Sequence, residues 1–467
     1  MTTQANHHGA PERDRTFVWL AIIVLVIAAL PRFWAAWIDQ GVFWPDEIFQ
    51  SLEQAHRLVF GYGVIPWEFR VGARSWVYPG LLAGLLKAGT FVGVNSGPSI
   101  VLLAKTSMAL LSLGTIYLSM RFAYALAGRL AALFAGVFGA CFSVSILLGS
   151  RCSSEMASAP VLIGVVTLAA RSGRARQLTA GALAGLAIYL RYQNGLIALG
   201  VLAILLQERR FKDALEYSAA ALVIGLLGGW LDAITWGKPF YAFYKYMKFN
   251  LKGSAKRFGA YPWNYYFKVA WNVSGPGCVV IAVGLLASLR RHTKLALLVI
   301  GYVLVHCAIP HKEFRFLMPV APLAFALSGA GLAELFVRAR REAIGVAVAL
   351  ACGGMALYTP YLTWASLGFP SDRGTRSPWH SGEGINRLLW SLGETPDVCG
   401  VVVTGESLGW IGGYSYFHRD VNIYPTAGEA ERASANYLIA HRNTPPAPGY
   451  RAIDRNRKYV LYRREGG

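Results

Sequence analysis

Eleven long apolar runs constrain this chain more than any other feature in it. They lie at about residues 16–38, 76–94, 98–120, 130–149, 156–170, 178–206, 216–236, 268–289, 294–310, 315–336 and 343–365. None carries the polar face that a helix in water presents to solvent. Inside a bilayer each backbone amide and carbonyl must be satisfied within its own segment, so runs of this length fold as membrane-crossing helices. The 467 residues are 55% hydrophobic and only 15% charged, against roughly 25% charged in soluble domains. The expected fold class is an all-α polytopic membrane protein.

A formal net charge of +20 would suit a nucleic-acid binder. The positive residues, however, sit between apolar runs: Arg121 to Arg129, Arg171 to Arg176, Arg209-Arg210-Phe211-Lys212, Arg290 to Lys294 and Arg338 to Arg341. That is the pattern of short cytoplasmic loops, and no nucleic-acid partner is expected. Placing all these separators inside gives a consistent alternation on two conditions. The run 178–206 must cross twice, broken at Arg191-Tyr192-Gln193-Asn194, and the run 76–94 must be interfacial or re-entrant. Each half of 178–206 is then near 20 Å long, against roughly 30 Å of hydrocarbon; short half-helices of this kind line cavities. The topology has about 11 transmembrane helices, with the N-terminus inside and the C-terminus outside. No period of 20–50 residues and no inverted repeat is visible.

Residues 1–15 are polar and read as a disordered cytoplasmic tail, with His7 and His8 as tail residues. Residues 16–366 form the membrane domain, of which 39–75 are the first outer loop. Residues 367–467 break the apolar pattern and carry strand-like runs at Val398–Thr404 and Tyr459–Tyr462; they read as a small α+β domain on the outer side. No small-residue cleavage site follows the first apolar run, so no cleavable signal peptide is expected. The six cysteines form no CxxC pair. Only Cys152 and Cys399 would face an oxidising side, and small buried thiols are the expected role of the others.

This topology gathers the unusual polar residues on one face: Asp46, Glu47, Arg74, Glu155, Arg191, Gln193, Asp232, Trp263 and the cluster His311-Lys312-Glu313-Phe314-Arg315. Nothing in the charge rule requires that convergence, and it is the mark of an active site at the outer surface. Asp46 and Glu47 suit general-base work on a hydroxyl; equally, Pro45-Asp46-Glu47 could open a helix whose first turn favours acids. The 311–315 cluster could hold a phosphate by charge-assisted hydrogen bonds or anchor the chain with snorkelling cations. Arg191 could pair with substrate phosphate or with an internal acid such as Glu155. The tryptophans and tyrosines near 261–266 also fit an interface belt. The sequence has no GxxxxGK[ST] loop, no GxGxxG after a strand, no DxD pair and no HExxH. No nucleotide-handling motif is therefore visible in the chain.

Residues 45–79 resemble the first outer loop of the glycosyltransferase family 22 mannosyltransferases, the lipid-phosphate-mannose enzymes of GPI and N-glycan assembly. The matching residues are Pro45-Asp46-Glu47, Gln50-Ser51-Leu52-Glu53, Ala55-His56, Gly61-Tyr62-Gly63, Trp67-Glu68, Arg74-Ser75 and Pro79. His311-Lys312-Glu313-x-Arg315-Phe316 followed by Pro319 resembles the second hallmark. The stretch from Asp232 through Trp236-Gly237-Lys238, Phe249-Asn250, Ser254, Gly259 and Pro262-Trp263 to Tyr266 resembles a third, with Trp236 in place of the usual tyrosine. The resemblance implies a GT-C membrane fold and an inverting α-mannosyltransferase using polyprenyl- or dolichyl-phosphate mannose, with no metal or other cofactor required. It implies Asp46 as base with Glu47 beside it, and His311, Lys312, Glu313, Arg315, Arg191 and Arg74 around the donor. Gln50, Glu53, His56, Trp67, Glu68, Asp232 and Trp263 follow as substrate-binding candidates, with a glycan or glycolipid as acceptor. The rivals are a flippase for lipid-linked sugars and a non-catalytic member of a membrane complex. The chain reads as a bacterial inner-membrane protein, or an endoplasmic reticulum protein if eukaryotic.

Overall fold

A computed structural model describes residues 14–253, 256, 258–369, 375–404, 406–425, 434–444 and 448–465. Most of the polar tail and Ser254 lie outside the described residues. The tail expected over 1–15 gives way to helix earlier than its composition suggests. Asp14 caps the helix Arg15–Trp37 by accepting from the amides of Thr16 and Phe17, and it pairs with Arg129 at 2.7 Å.

The helix over Gly97–Cys141 folds back on itself at Ala127 and Gly128, where Gly128 takes φ +77°. Only glycine adopts that backbone without cost. The return limb lies so close that a Cβ on Gly136 would meet Met120 at 2.9 Å. Arg32, fully buried in the first helix, holds the hairpin by donating to the carbonyls of Gly139 (2.8 Å) and Ala140 (3.2 Å) and to the Ser112 hydroxyl (2.9 Å). The basic separator Arg121–Arg129 is thus a tight turn between two spans, as the charge pattern requires.

Among the described residues, five helices are long and apolar enough to cross a membrane, and shorter apolar helices lie between them. The run 178–206 divides as expected, into Arg174–Leu190 and Gly195–Gln207 on either side of a 3-10 turn at Tyr192–Asn194. Asn194 stabilises the break by donating to the Ala187 carbonyl at 2.9 Å. The run 76–94 becomes Val77–Thr90, a helix of 14 residues and about 21 Å, short of a full crossing. Ala321–Arg338 packs against both limbs of the hairpin and closes the helical core.

The C-terminal residues form a five-stranded sheet. Its strands are β1 (Val401–Val403), β2 (Ile423–Tyr424), β3 (Tyr437–His441), β4 (Tyr450–Arg455) and β5 (Tyr459–Arg464), in the order β2-β1-β3-β5-β4. β1 runs parallel to β2 and β3, and β5 runs antiparallel to β3 and β4. The amphipathic helix Glu383–Gly393 covers one face through Ile385, Leu389 and Leu392, which pack on Val401, Ile439 and Leu461. This domain sits directly on the loop over 39–75. Asn386 donates to the Gln40 carbonyl at 2.7 Å, and the Val42 amide donates to the Ser381 carbonyl at 2.7 Å.

The arrangement predicts sidedness. With the exposed Cys399 replaced by serine, cysteines placed at the exposed positions Leu58, Lys252 and Arg451 should react with a membrane-impermeant thiol reagent in sealed right-side-out membranes. Cysteines at Arg174 and Arg340 should react only after permeabilisation; labelling of all five from one side would refute the topology.

Candidate active site

The outer loop builds its site by an irregular helix. Pro45 occupies the first turn of the short helix Pro45–Glu47, where its missing N–H costs nothing; the chain then passes through a π turn at Ile48–Leu52 and continues as the helix Glu53–Phe60. Trp44 is the capping residue and makes no side-chain cap bond. The carboxylate of Asp46 is therefore not spent on the helix terminus. Asp46, in the short helix, and Gln50, in the π turn, line the same cavities, and Glu47 lines neither.

Asp46 Oδ2 accepts from Arg315 at 2.5 Å. Arg315 is buried and also reaches Glu313 (2.6 Å) and Glu155 (3.1 Å), and Glu155 in turn pairs with Arg191 at 2.7 Å. One guanidinium thus organises three carboxylates, using the planar fork that lysine lacks. Burial favours the neutral form of Glu313, but Arg315 and His311 outweigh it and hold the carboxyl below the usual range. Burial pushes the His311 imidazole down, and its 3.2 Å contact with Glu313 more than restores it, leaving it raised. Glu68 is raised by burial, with Arg74 opposing, and it accepts from Gln50 at 2.7 Å. Arg74 lies over the Tyr246 ring, 5.8 Å from its centroid, and among the described residues no carboxylate is ion-paired to it.

Two chambers meet at this point. Asp46, Gln50, Arg74, Arg191, Tyr246 and Arg315 form their common wall. The inner one is a narrow polar cleft completed by Ser75, Ser153, Ser154, Glu155 and Gln193. The outer one encloses about 570 Å³ and is walled by Trp44, Phe49, Trp67, Phe249, Phe258, Trp410, Glu68, His311 and Glu313. Of the sequence-derived candidates, Asp46, Gln50, Trp67, Glu68, Arg74, Arg191, His311, Glu313 and Arg315 converge here.

Six others do not. Glu47 is buried, accepting from the Phe43 amide at 2.7 Å and from Arg151 at 3.4 Å, so it braces the loop from behind. Lys312 donates to the carbonyls of Ile309 (2.5 Å) and Tyr261 (2.9 Å), sealing the end of a helix rather than facing a cavity. Glu53 is fully buried and accepts the amides of Val64, Tyr414 and Ser415 at 2.8–3.1 Å. His56 contacts the Tyr62 carbonyl at 3.1 Å and His418 at 2.9 Å. Asp232 accepts the Ala242 amide at 2.9 Å. Trp263 is 68% exposed and packs edge-on to Phe267, away from both chambers. These are the ordinary structural roles of motif residues that hold a loop in shape.

Sequence reasoning missed the network behind the loop. Buried Arg151 pairs with Asp39 as well as Glu47, and buried Lys105 donates to the Asp39 carbonyl at 2.5 Å. Asp39 also accepts the amides of Gly41 and His380, at 2.9 and 3.1 Å. Burial raises the Asp39 carboxyl, but Arg151 and Lys105 bring it below its ordinary value. The available signal was that Arg151 and Lys105 are cations left near the outer face by a topology that puts the basic loops inside.

The whole arrangement is that of a GT-C membrane protein. ArnT from Cupriavidus metallidurans, solved bound to undecaprenyl phosphate, superposes with a TM-score of 0.60 at 13% identity over 94% of this chain and 97% of that one. The Archaeoglobus fulgidus oligosaccharyltransferase superposes with a TM-score of 0.54 at 15% identity, covering 91% and 69%. At such identities the likeness is one of fold. The chain belongs to the Alg9-like mannosyltransferase family, whose model matches residues 21–365. GPI mannosyltransferase 3 of Drosophila melanogaster is 28% identical over 333 residues, 68% of this chain and 58% of that protein. The GPI mannosyltransferase 3 of Yarrowia lipolytica is 30% identical over 314 residues, 64% and 60%. The chain spans about three fifths of the length of these curated relatives.

The His56–His418 contact makes stability depend on pH in a defined direction. Burial, and then His418, depresses His56 to about 4 from the ordinary 6.5. The unfolded chain therefore takes up the proton first, and stability should fall as pH drops from about 6.5 towards 4. Glu53, raised by burial in the same interface, contributes in the opposite sense and is common to wild type and variant. The thermal midpoint of wild type should therefore drop more steeply over this window than that of His56→Gln; parallel curves would refute the assignment.

Proposed function

We propose that this protein is an inverting α-mannosyltransferase that moves mannose from a polyprenyl- or dolichyl-phosphate donor to a glycan or glycolipid hydroxyl on the outer face of the membrane. The membrane is a bacterial inner membrane or, in a eukaryotic host, the endoplasmic reticulum. One observation carries the reading: in a member of this family, Asp46 stands on the wall between two chambers, flanked by Arg74, Arg191 and Arg315. A carboxylate between an electrophile's chamber and a nucleophile's chamber is where a base for group transfer belongs.

The acceptor hydroxyl attacks the anomeric carbon as the bond to the phosphate oxygen breaks on the opposite side. The electron pair leaves with the phosphate and the hydroxyl proton passes to Asp46. The transition state has oxocarbenium character, so alignment of the nucleophile counts for more than early deprotonation. Arg315 supplies that alignment by fixing Asp46 Oδ2. Arg74 and Arg191 stabilise the charge gathering on the leaving phosphate; Lys312, engaged with backbone carbonyls, takes no part. A flippase would need polar groups along a path through the bilayer, whereas here the ionisable groups named above converge on the two chambers around Asp46.

Asp46→Asn keeps the shape and loses the proton acceptor. It should leave the protein folded and able to bind undecaprenyl phosphate while cutting transfer by about 10²-fold or more. Full activity in that variant would move the base elsewhere. Glu47→Gln should lower the thermal midpoint more than it lowers transfer by the folded fraction. Purified protein should use lipid-phosphate mannose and not GDP-mannose; robust turnover of the nucleotide sugar without lipid would overturn the donor assignment.

A further inference from the structure

Resting on the transferase reading above, the geometry points to the outer chamber as the saccharide acceptor subsite, with Trp410 of the C-terminal domain as one of its stacking walls. Nothing in the sequence motifs indicates Trp410, which lies in the part of the chain that the family match does not cover.

The two chambers differ in chemistry. The inner cleft adds serine hydroxyls and Gln193 to the shared cations, and its one added carboxylate, Glu155, is paired with both Arg191 and Arg315, a lining that suits phosphate. Beyond the shared wall, the outer chamber adds aromatic faces and the carboxylates Glu68 and Glu313. A second phosphate there would face those carboxylates. A polyprenyl chain would bury them against hydrocarbon, which is costly for ionised groups. A neutral sugar satisfies both kinds of wall: its C–H faces stack on aromatic rings and its hydroxyls donate to carboxylates. A volume of about 570 Å³ falls in the range of small-ligand sites and has room for a short saccharide.

Trp410 is placed for this work. It closes a 3-10 turn, Leu408–Trp410, that lies across the outer loop. Gly409 stands so near Pro45 that a Cβ there would come within 3.9 Å of the proline ring. The Trp410 ring is held edge-on by Trp44 (centroids 5.4 Å apart) and by Trp364 (5.6 Å). Trp67 is held among Phe249 and Phe258 at 5.0 and 6.4 Å. Rings fixed in this way bind with little loss of rotamer freedom.

The test is binding, measured apart from transfer. Mannobiose is titrated by saturation-transfer NMR against detergent-solubilised wild type, Trp410→Ala and Trp410→Phe, each with saturating undecaprenyl phosphate. Trp410→Ala should weaken mannobiose binding about fivefold or more, Trp410→Phe should stay within about twofold, and both should bind undecaprenyl phosphate as wild type does. Unchanged mannobiose binding in Trp410→Ala, loss of undecaprenyl phosphate instead, or no mannobiose binding by wild type would each overturn the assignment. Failure of the transferase reading looks different: no transfer from lipid-phosphate mannose, with Trp410-dependent mannobiose binding intact.

Discussion

The site depends on one buried guanidinium. Arg315 ties the loop over 39–75, through Asp46, to the helix Ser154–Ala169, through Glu155, and to its own segment, through Glu313. Buried charges are tolerated only when paired and hydrogen-bonded, and removing one member of such a set typically costs about 3–5 kcal/mol. Three carboxylates would repel one another without Arg315. Arg191 carries the pairing one step further through Glu155. The contacts around Asp46 and the anchoring of its loop therefore rest on the same guanidinium.

A second set of ions works from behind. Arg151, Asp39 and Lys105 are buried on the far side of the loop, where Glu47 meets them and Asp39 touches the C-terminal domain at His380. Asp46 and Glu47, adjacent in sequence, consequently belong to two different electrostatic systems. One faces the chambers, and the other fixes the loop that presents the first. Adjacent side chains in a helical turn point about 100° apart, so the short helix Pro45–Glu47 sends the two carboxylates to different sides of the loop.

Much of this was legible in the sequence. Long apolar runs and basic separators gave the helical fold, the break at Arg191 and the gathering of polar residues on one face, because hydrocarbon punishes every misplaced charge. Asp46, Arg191 and the 311–315 cluster stood out for the same reason. The sequence could not sort motif residues into those that face a cavity and those that hold a loop. Glu53 and His56 read as binding residues because their partners, Tyr414, Ser415 and His418, lie far along the chain in a segment of unremarkable composition. Lys312 reads as a phosphate ligand because its charge is visible in the sequence, whereas the carbonyls it seals are not. The order of the C-terminal strands, with both parallel and antiparallel neighbours, left no mark beyond a few β-branched runs.

The clamp on Glu53 bears on how the protein is made. Its acceptor oxygens are satisfied by Tyr414 and Ser415 amides that lie 361 and 362 residues downstream. At translation rates of about 5–20 residues per second, the outer loop waits for on the order of half a minute before those amides exist. Until they pack against the loop, Glu53, His56 and Asp39 lack partners that the finished fold supplies. The loop that carries Asp46 is thus completed by residues made 361 and 362 positions after Glu53, and a nascent chain that stops short of Tyr414 holds it unfinished.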